Sequence, residues 1–207
     1  MNTTQADRLT EDLLAADPMT QFAGWMSDAT AQGIPEPTAM VLATLSASDG
    51  RPHARTVLLK DHGQAGFTFY SNRTSRKGQD LAADARACAV FPWYAMSRQV
   101  TAEGSVQVMS MPDSEPYYHS RPRQSQIGAW ASRQSRVIGS RAELEDRVAE
   151  LERRWPPPAR VPMPDFWGGY LLVPDTVEFW QAGSFRLHDR LRYRRDGAAW
   201  VIERLSP

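Results

Sequence analysis

The chain has 207 residues, of which 42% are hydrophobic and 23% are charged, a composition typical of a globular protein with a sizeable core. Lysine and arginine together number 24, as do aspartate and glutamate, so the formal net charge is zero, which argues against a bulk nucleic-acid binder. A single cysteine, Cys88, excludes a disulfide framework. We find neither a secretory signal nor an apolar run of membrane-spanning length, and we therefore expect a cytoplasmic protein.

Residues 1–16 are expected to form a mobile arm that precedes a single domain over residues 17–207. Asp17 is the predicted N-cap of a helix with Pro18 in its first turn, an apolar stripe at helical spacing and Gly33 at its end. A set of strands with one helix among them follows: the strands are predicted at residues 39–45, 55–60, 66–70, 87–91 and 98–109, and the helix at residues 75–84.

In the second half, Pro112 begins a short helix, and Ser140 and Glu143 form a capping box for a further helix that residues 156–158, three prolines, bring to an end. Strands resume at Trp167, and the last two are joined by an Asp-Gly pair, a strong hairpin signal. Seven or eight short strands without regular β-α-β alternation predict an antiparallel β-barrel with peripheral helices.

The segment Tyr117–Ser135 is rich in arginine and serine and contains no acidic residue and no lysine. Its three arginines are Arg121, Arg123 and Arg133. Arginines without carboxylate partners need an anion or water, and a guanidinium fork beside hydroxyl groups is a good ligand for phosphate oxygens. The alternative is a solvated helix–loop–helix with ordinary surface charge.

Further cations lie at the ends of predicted elements. Arg55 and Lys60 fall on opposite faces of an ideal strand, so they could serve two neighbouring anions or be two exposed strand-end charges. Arg76 and Lys77 begin a predicted helix, where positive charge opposes the helix dipole unless an anion compensates it. Two solvated surface charges are the alternative explanation for this pair.

Polar side chains also occur within predicted strands. Gln99 could donate a hydrogen bond to a heterocycle or could face water. Arg186, His188 and Arg190 alternate along the chain and would share one face of a strand. Three cationic or titratable groups on one face repel one another, which favours an anionic, planar ligand at this place.

Several common sites are absent from the sequence. It contains no G-x-G-x-x-G, no Walker loop and no G-x-S-x-G. The four histidines do not cluster with cysteines or carboxylates at metal-ligand spacing. A metal site and a Ser-His-Asp hydrolase are therefore disfavoured.

Eight segments in order carry a resemblance to a known family: RTVLLK, FYSNRTSRKG, FPWYAMSRQV, YYHSRPRQSQIGAWAS, RQS, FWGGY, VEFWQ and RLHDRLRY. Together they resemble the pyridoxamine (pyridoxine) 5′-phosphate oxidase family, from about Asp17 to Pro207. The resemblance implies a split β-barrel, bound FMN and a homodimer with the flavin at the subunit interface. It implies no metal ion.

The resemblance also implies roles for individual residues. The positions that match FMN contacts are Arg55, Thr56, Val57, Leu58, Leu59, Lys60, Tyr70, Ser71, Arg76, Lys77, Gln99, Gln134, Ser135, Trp180 and Arg190, the last four from the partner subunit. The positions that match substrate contacts are Lys60, Tyr117, Arg121 and Ser125 at the phosphate, and Arg186, Leu187 and His188 at the ring. Arg186 and His188 are the expected catalytic residues.

The implied reaction is oxidation of pyridoxamine 5′-phosphate or pyridoxine 5′-phosphate to pyridoxal 5′-phosphate by dioxygen, with hydrogen peroxide as product and ammonia released from the amine. One alternative is a split-barrel oxidase acting on a phenazine precursor, which lacks the phosphate. The other is a non-catalytic binder of flavin or pyridoxal phosphate. The matched phosphate contacts argue against the first alternative, and the retention of Arg186 and His188 argues against the second.

Two features depart from the family pattern. Family members usually carry an N-terminal Arg-x-x-Tyr element that folds over the substrate, and the N-terminal sequence here has no such tyrosine. Ser71 stands where the family usually has threonine, a change that retains the hydroxyl group.

Overall fold

The computed structural model describes residues 8–46 and 48–207. Within these ranges there are five helices: α1 (Pro18–Ala31), α2 (Arg76–Ala83), α3 (Met111–Ser120), α4 (Arg123–Ala131) and α5 (Arg141–Arg154). The same ranges contain nine strands: β1 (Ala39–Leu45), β2 (Pro52–Leu58), β3 (Asp61–Gly63), β4 (Gly66–Asn72), β5 (Arg86–Trp93), β6 (Arg98–Val108), β7 (Trp167–Gln181), β8 (Asp189–Asp196) and β9 (Ala199–Arg204).

All nine strands belong to one antiparallel sheet, in the order β2-β1-β5-β6-β7-β4-β3, with β8 paired to β7 and β9 paired to β8. The 15-residue strand β7 is the centre of the sheet, because its first half pairs with β4 and its second half with β8 while β6 runs along its other edge. The register between β6 and β7 shifts at Glu103/Gly104, where Asp175 of β7 is left without a partner in β6, and this bulge in β7 bends the pair. The prediction of an antiparallel barrel with peripheral helices is confirmed.

Helix α1 packs into the curled sheet. The Asp17 carboxylate accepts hydrogen bonds from the amides of Met19 and Thr20, at 3.0 and 2.9 Å, and so caps the helix as predicted. Phe22 is fully buried, with ring centres 4.8 Å from those of both Phe67 and Phe91 in edge-to-face contact. The helix is therefore fixed at its start by a cap and along its length by the core.

Of two other local predictions, the capping box at Ser140 and Glu143 is confirmed in part and the Asp-Gly hairpin in full. The Ser140 hydroxyl accepts a hydrogen bond from the Glu143 amide at the start of α5, at 3.4 Å, while the Glu143 carboxylate accepts one from the Gly139 amide rather than from that of Ser140. Strands β8 and β9 form a hairpin, and Gly197 adopts a φ of 60° in its turn.

The predicted strand at residues 55–60 differs from the observed β2, which ends at Leu58. The amide of Leu59 still donates to Thr38, but the amide of Lys60 donates to Thr68 of β4. Lys60 therefore lies where the chain crosses from one edge of the sheet to the other. The segments GYLLVP and TVEFW, which the sequence predicts as two separate strands after Trp167, form one continuous strand, β7.

Residues 8–16 belong to the folded domain, which corrects this part of the predicted mobile arm; residues 1–7 lie outside the described residues. Leu9 is buried in the core, and its amide donates to Asp189 at 3.2 Å. Arg204 forms an ion pair with Glu11 at 2.9 Å, and the Tyr193 hydroxyl donates to the carbonyl of Ala15 at 2.8 Å.

The predicted alternation of Arg186, His188 and Arg190 on one strand face is wrong. Residues 184–186 form a 3-10 turn, with left-handed φ values of 56° at Phe185 and 65° at Arg186, and β8 begins only at residue 189. The Arg190 guanidinium pairs with the Glu178 carboxylate at 2.7 Å, which removes the repulsion that the sequence suggested.

Within residues 8–46 and 48–207, no helix has the length and apolar character needed to cross a membrane. In the same part of the chain no three histidine, cysteine, aspartate or glutamate side chains are grouped as metal ligands would be. Cys88 is half-buried, and burial raises the pKa of its thiol to about 11, so it stays protonated at neutral pH.

Candidate active site

A cleft of about 640 Å³ opens where β2 and β4 meet α2, α3 and α4. Its volume lies within the range of small-molecule sites. The residues that line it are Thr56, Val57, Leu58, Lys60, Tyr70, Ser71, Asn72, Lys77, Tyr117, Arg121, Pro122, Ser125, Gly128, Ala129, Ser132, Gln134 and Trp167. We call this space the cleft.

Lys77 supplies a buried positive charge at one side of the cleft. Its side chain is 8% exposed, and its ammonium group donates to the Ser71 hydroxyl and the Gln134 amide oxygen, both at 3.0 Å, and to the Ser75 hydroxyl at 3.4 Å. Burial and the nearby Arg55 guanidinium lower the pKa of Lys77 to about 8. All three hydrogen-bond partners are neutral, so an anion in the cleft is the partner that this charge needs.

Arg121 supplies a second cation with unused hydrogen-bonding capacity. Its Nη2 donates to the carbonyl of Ser125 at 2.8 Å, whereas its Nη1 is buried and has no hydrogen-bond partner. Burial lowers the pKa of this guanidinium. A buried N–H group without a partner is costly, and an incoming anion would satisfy it.

An aromatic stack forms one wall of the cleft. The ring centres of Tyr70 and Tyr117 lie 4.1 Å apart, and that of Trp167 lies 5.3 Å from Tyr70, with the rings nearly parallel. Gly169 makes this stack possible, because a Cβ there would lie 3.0 Å from the Tyr70 ring and closer still to Met109. The cleft therefore combines three cations, Lys60, Lys77 and Arg121, with a flat aromatic wall, a combination suited to an aromatic ligand that carries an anionic group.

Sequence comparisons identify the family. A sequence model described as "Pyridoxamine 5'-phosphate oxidase" matches residues 26–154, and one described as "Pyridoxine 5'-phosphate oxidase C-terminal dimerisation region" matches residues 167–207. The chain belongs to the pyridoxamine 5′-phosphate oxidase family. It is therefore an oxidoreductase with a split-barrel fold, and the resemblance seen in its motifs is confirmed.

Several relatives are similar over nearly their whole length. The chain is 55% identical to the pyridoxine/pyridoxamine 5′-phosphate oxidase of Frankia alni, over 98% of this chain and 85% of that protein. It is 52% identical to the protein of the same name from Bordetella petrii, over 96% of this chain and 93% of that protein.

Two solved structures share the fold. PhzG from Burkholderia lata 383, in complex with tetrahydrophenazine-1-carboxylic acid, is similar with a TM-score of 0.89 and 32% identity, over 97% of this chain and 98% of that chain. A pyridoxamine 5′-phosphate oxidase-related, FMN-binding protein from Nostoc punctiforme has a TM-score of 0.73 at 16% identity, over 94% of this chain and 100% of that chain. The second likeness is evidence of the fold alone.

The structure brings together part of the set of residues predicted from the family motifs. Those that line the cleft are Thr56, Val57, Leu58, Lys60, Tyr70, Ser71, Lys77, Tyr117, Arg121, Ser125 and Gln134. Those that do not are Arg55, Leu59, Arg76, Gln99, Ser135, Trp180, Arg186, Leu187, His188 and Arg190. The predicted members therefore fall into a group inside the cleft and a group outside it.

Three residues outside the cleft lie directly behind or beside it. Arg55 turns toward α2, where its guanidinium lies 3.5 Å from the Asp80 carboxylate and donates to the Thr44 hydroxyl at 2.7 Å. Leu59 is part of the core. Arg76 is exposed and lines a separate hollow of about 440 Å³, so the structure places the neighbouring cations Arg76 and Lys77 in different hollows.

The remaining residues outside the cleft, apart from Ser135, lie on β6, β7 and β8 and the turn before β8. Gln99 pairs with Trp180 across β6 and β7, Trp180 pairs with Arg190 across β7 and β8, and the rings of Trp180 and His188 are 4.8 Å apart. Most of this group falls within the matched dimerisation region.

Sequence reasoning missed some residues of the site. Trp167 occurs in the FWGGY motif. That motif contributed to the family resemblance, but it did not predict a role for the Trp167 side chain. Asn72, Gly128, Ala129 and Ser132 line the cleft without any residue-level signal. Asp80, which accepts from Thr44 at 2.8 Å and lies 3.1 Å from the His53 ring nitrogen, was also missed, because its partners are brought to it only by folding.

Proposed function

We propose that the chain uses FMN and dioxygen to oxidise pyridoxamine 5′-phosphate and pyridoxine 5′-phosphate to pyridoxal 5′-phosphate. Hydrogen peroxide is the second product, and the amine substrate also releases ammonia. The observation that carries this proposal is the presence of two cations in one cleft, the buried Lys77 and the half-buried Arg121, whose side chains donate hydrogen bonds to neutral oxygens alone. FMN and substrate each bring one phosphate, so two anion-binding groups match the two ligands.

The residues around Lys77 fit FMN. The buried ammonium, the Ser71 hydroxyl and the start of α2 form a donor set suited to the cofactor phosphate, while Thr56, Val57 and Leu58 line the adjoining wall. When bound, FMN accepts a hydride from the substrate and passes the electrons to dioxygen. Arg55 supports this side of the cleft from behind through Asp80.

The residues around Arg121 fit the substrate phosphate. Arg121 offers the unpartnered Nη1, and Lys60, Tyr117 and Ser125 line the same part of the cleft. Holding the phosphate would orient the substrate within the cleft, so that its reaction with the cofactor would be effectively intramolecular. The Tyr70–Tyr117 stack offers a flat apolar surface for the substrate ring.

We propose further that the site is completed in a homodimer. Arg186 and His188 do not line the cleft of their own chain, and they lie in the matched dimerisation region. The neighbouring Phe185 and Leu187 are 92% and 67% exposed, which is unusual for large apolar side chains unless a partner covers them. Arg186 and His188 of one subunit would then meet the substrate ring in the other subunit's cleft, where Trp180 and Arg190 would contact FMN.

Two predicted contacts depend on this dimer. Gln134 was expected to approach FMN from the partner subunit, yet in one chain it already bonds Lys77 of the same cleft. Arg190 is engaged by Glu178 and by the carbonyl of Ser206, so contact with FMN requires it to share or exchange these bonds. Both assignments stay predictions.

The deciding experiment is anaerobic mixing of the FMN-loaded protein with pyridoxine 5′-phosphate. We expect the yellow flavin absorbance to bleach, and to return with formation of hydrogen peroxide when air is admitted. Unphosphorylated pyridoxine at the same concentration should bleach the flavin far more slowly. A protein bleached by a tetrahydrophenazine carboxylate and not by the phosphate would instead favour a reaction on the ligand class seen with PhzG.

A further inference from the structure

Arg121 is held by an aromatic ring rather than by an acid. Its guanidinium carbon lies 4.7 Å from the centre of the Trp167 ring and 5.6 Å from that of Tyr118. A long side chain has many rotamers, and the single hydrogen bond from Nη2 to Ser125 does not by itself define the direction of Nη1. The flat indole supplies the missing constraint, because a planar guanidinium packs well on an aromatic face.

Trp167 is itself rigidly placed. It is 6% exposed, it begins β7 in register with Asn72 of β4, and its amide donates to the carbonyl of Pro164 at 3.1 Å. The ring of Tyr70 lies nearly parallel to it at 5.3 Å, and the ring of Tyr118 meets it edge-on at 5.1 Å. The indole is thus fixed by the sheet and by two other rings before any ligand arrives.

An aromatic partner leaves the charge and the N–H groups of Arg121 in a different state from a carboxylate partner. A carboxylate would neutralise Arg121 and occupy its N–H groups, whereas the indole orients the guanidinium and leaves Nη1 available. Burial among rings also strengthens any later bond from that nitrogen to an anion.

We infer that Trp167 is a positioning residue for phosphate recognition: it holds Arg121 in the orientation that distinguishes phosphorylated from unphosphorylated substrate. This inference rests on the proposed function and adds a specificity determinant to it. Trp167 acts through Arg121, so its removal weakens the phosphate contact and leaves the step at the substrate ring unaltered.

The test uses the FMN-loaded variants Trp167→Leu and Trp167→Phe. For Trp167→Leu we expect KM for pyridoxine 5′-phosphate to rise about 5- to 30-fold, the range of a desolvated cation–π contact, with kcat nearly unchanged. Trp167→Phe keeps a ring face and should recover most of the affinity. Because Trp167 is also part of the cleft wall, the diagnostic quantity is the substrate preference: in Trp167→Leu, KM should rise several-fold more for pyridoxine 5′-phosphate than for unphosphorylated pyridoxine.

A double-mutant cycle with Arg121→Ala separates positioning from a general structural role. If Trp167 works through Arg121, Trp167→Leu will have almost no further effect on KM once Arg121 is alanine. Trp200→Leu is the matched control, because it removes another arginine–tryptophan contact, with Arg195 at 4.3 Å, on the β8–β9 hairpin. If Trp167→Leu does not fold, Trp167→Met takes its place in the experiment, because methionine fills more of the space left by the indole and has no ring.

Two results would overturn the inference: equal losses for the phosphorylated and unphosphorylated substrates, or effects of the two substitutions that multiply in the double variant. Calorimetric binding of inorganic phosphate to the same FMN-loaded proteins repeats the comparison without turnover. If the wild type does not oxidise pyridoxine 5′-phosphate, the proposed reaction is wrong. If Trp167→Leu nevertheless binds inorganic phosphate more weakly than the wild type does, the inference about Trp167 is still supported. If the wild type oxidises pyridoxine 5′-phosphate but Trp167→Leu keeps the wild-type preference for the phosphorylated substrate, the inference is wrong and the proposed reaction stands.

Discussion

The ammonium nitrogen of Lys77 lies 3.0 Å from the side-chain amide oxygen of Gln134, although the two residues are 57 positions apart in the chain. The same amide oxygen accepts the Ser71 hydroxyl at 3.2 Å. The start of α2 is thereby joined to the segment after α4, and the cleft is closed on that side. Because both partners are neutral, the charge of Lys77 is available to an anionic ligand.

Replacing Lys77 by methionine should weaken FMN binding. The loss of one charge-assisted hydrogen bond corresponds to about 1.5–3 kcal/mol, or roughly a 10- to 100-fold higher dissociation constant. Titration of apoprotein with FMN, followed by quenching of flavin fluorescence, measures this. Arg153→Met, on an exposed part of α5, is the control and should bind FMN normally. Unchanged affinity in Lys77→Met would place the cofactor phosphate elsewhere.

The lowered pKa of Lys77 predicts a pH dependence of stability. Its pKa is about 8 in the folded protein against an ordinary value of 10.5, so between these pH values the unfolded chain binds more protons. The contribution of this group to the free energy of unfolding of the apoprotein therefore rises from about pH 8 to pH 10.5 and is constant below that window. Urea denaturation of wild type and Lys77→Met at a series of pH values should show the rise only in the wild type. A pH-independent difference between the two proteins would contradict the assignment.

Replacing Arg121 by alanine should mainly raise KM for pyridoxine 5′-phosphate, by roughly 10- to 100-fold. The phosphate is remote from the reacting carbon, so its contact is nearly equal in the ground state and the transition state, and kcat should change little. Steady-state kinetics of the FMN-loaded variant, with Arg153→Ala as control, measures both constants. A large fall in kcat at unchanged KM would show that Arg121 acts on the chemical step instead.

Replacing Arg186 by alanine should mainly lower kcat, in contrast to the rise in KM expected for Arg121→Ala. We expect kcat to fall by about 10- to 100-fold while FMN stays bound, because the interaction of Arg186 with the substrate ring should strengthen as the hydride leaves. His188→Ala is expected to act in the same direction through the substrate hydroxyl or its proton. Arg195→Ala is a control on the same hairpin region, remote from the cleft lining. Normal kcat in Arg186→Ala with full FMN content would give Arg186 a structural or binding role.

Removal of residues 1–14 should destabilise the protein, in contrast to what a mobile arm over residues 1–16 would predict. The deletion takes Leu9 out of the core and removes the Glu11 partner of Arg204, and the loss of one buried leucine alone costs about 2–4 kcal/mol. Thermal unfolding should show a lower Tm for this deletion and for Leu9→Ala. A deletion of residues 1–7 keeps both contacts and serves as the control. Equal Tm values for all of these proteins would mean that the packing of residues 8–16 contributes nothing to stability.

The sequence by itself determined the features that depend on near neighbours in the chain. The Asp17 cap, the β8–β9 hairpin and the antiparallel fold class follow from capping groups, turn residues and hydrophobic periodicity, which act over a few residues. The family motifs also singled out Lys77 and Arg121, which both line the cleft, while their roles toward FMN and the substrate phosphate stay predictions.

Only the tertiary structure decided which charges are neutralised and which stay free. Arg190 pairs with Glu178 on the neighbouring strand, and Arg55 pairs with Asp80 on α2. Arg121 instead packs on Trp167, 46 positions further along the chain. Sheet register and helix packing create these pairs, and composition and local spacing do not contain that information. Local sequence assigned residues 8–16 to a mobile arm, but the same long-range packing joins these residues to β8 and β9.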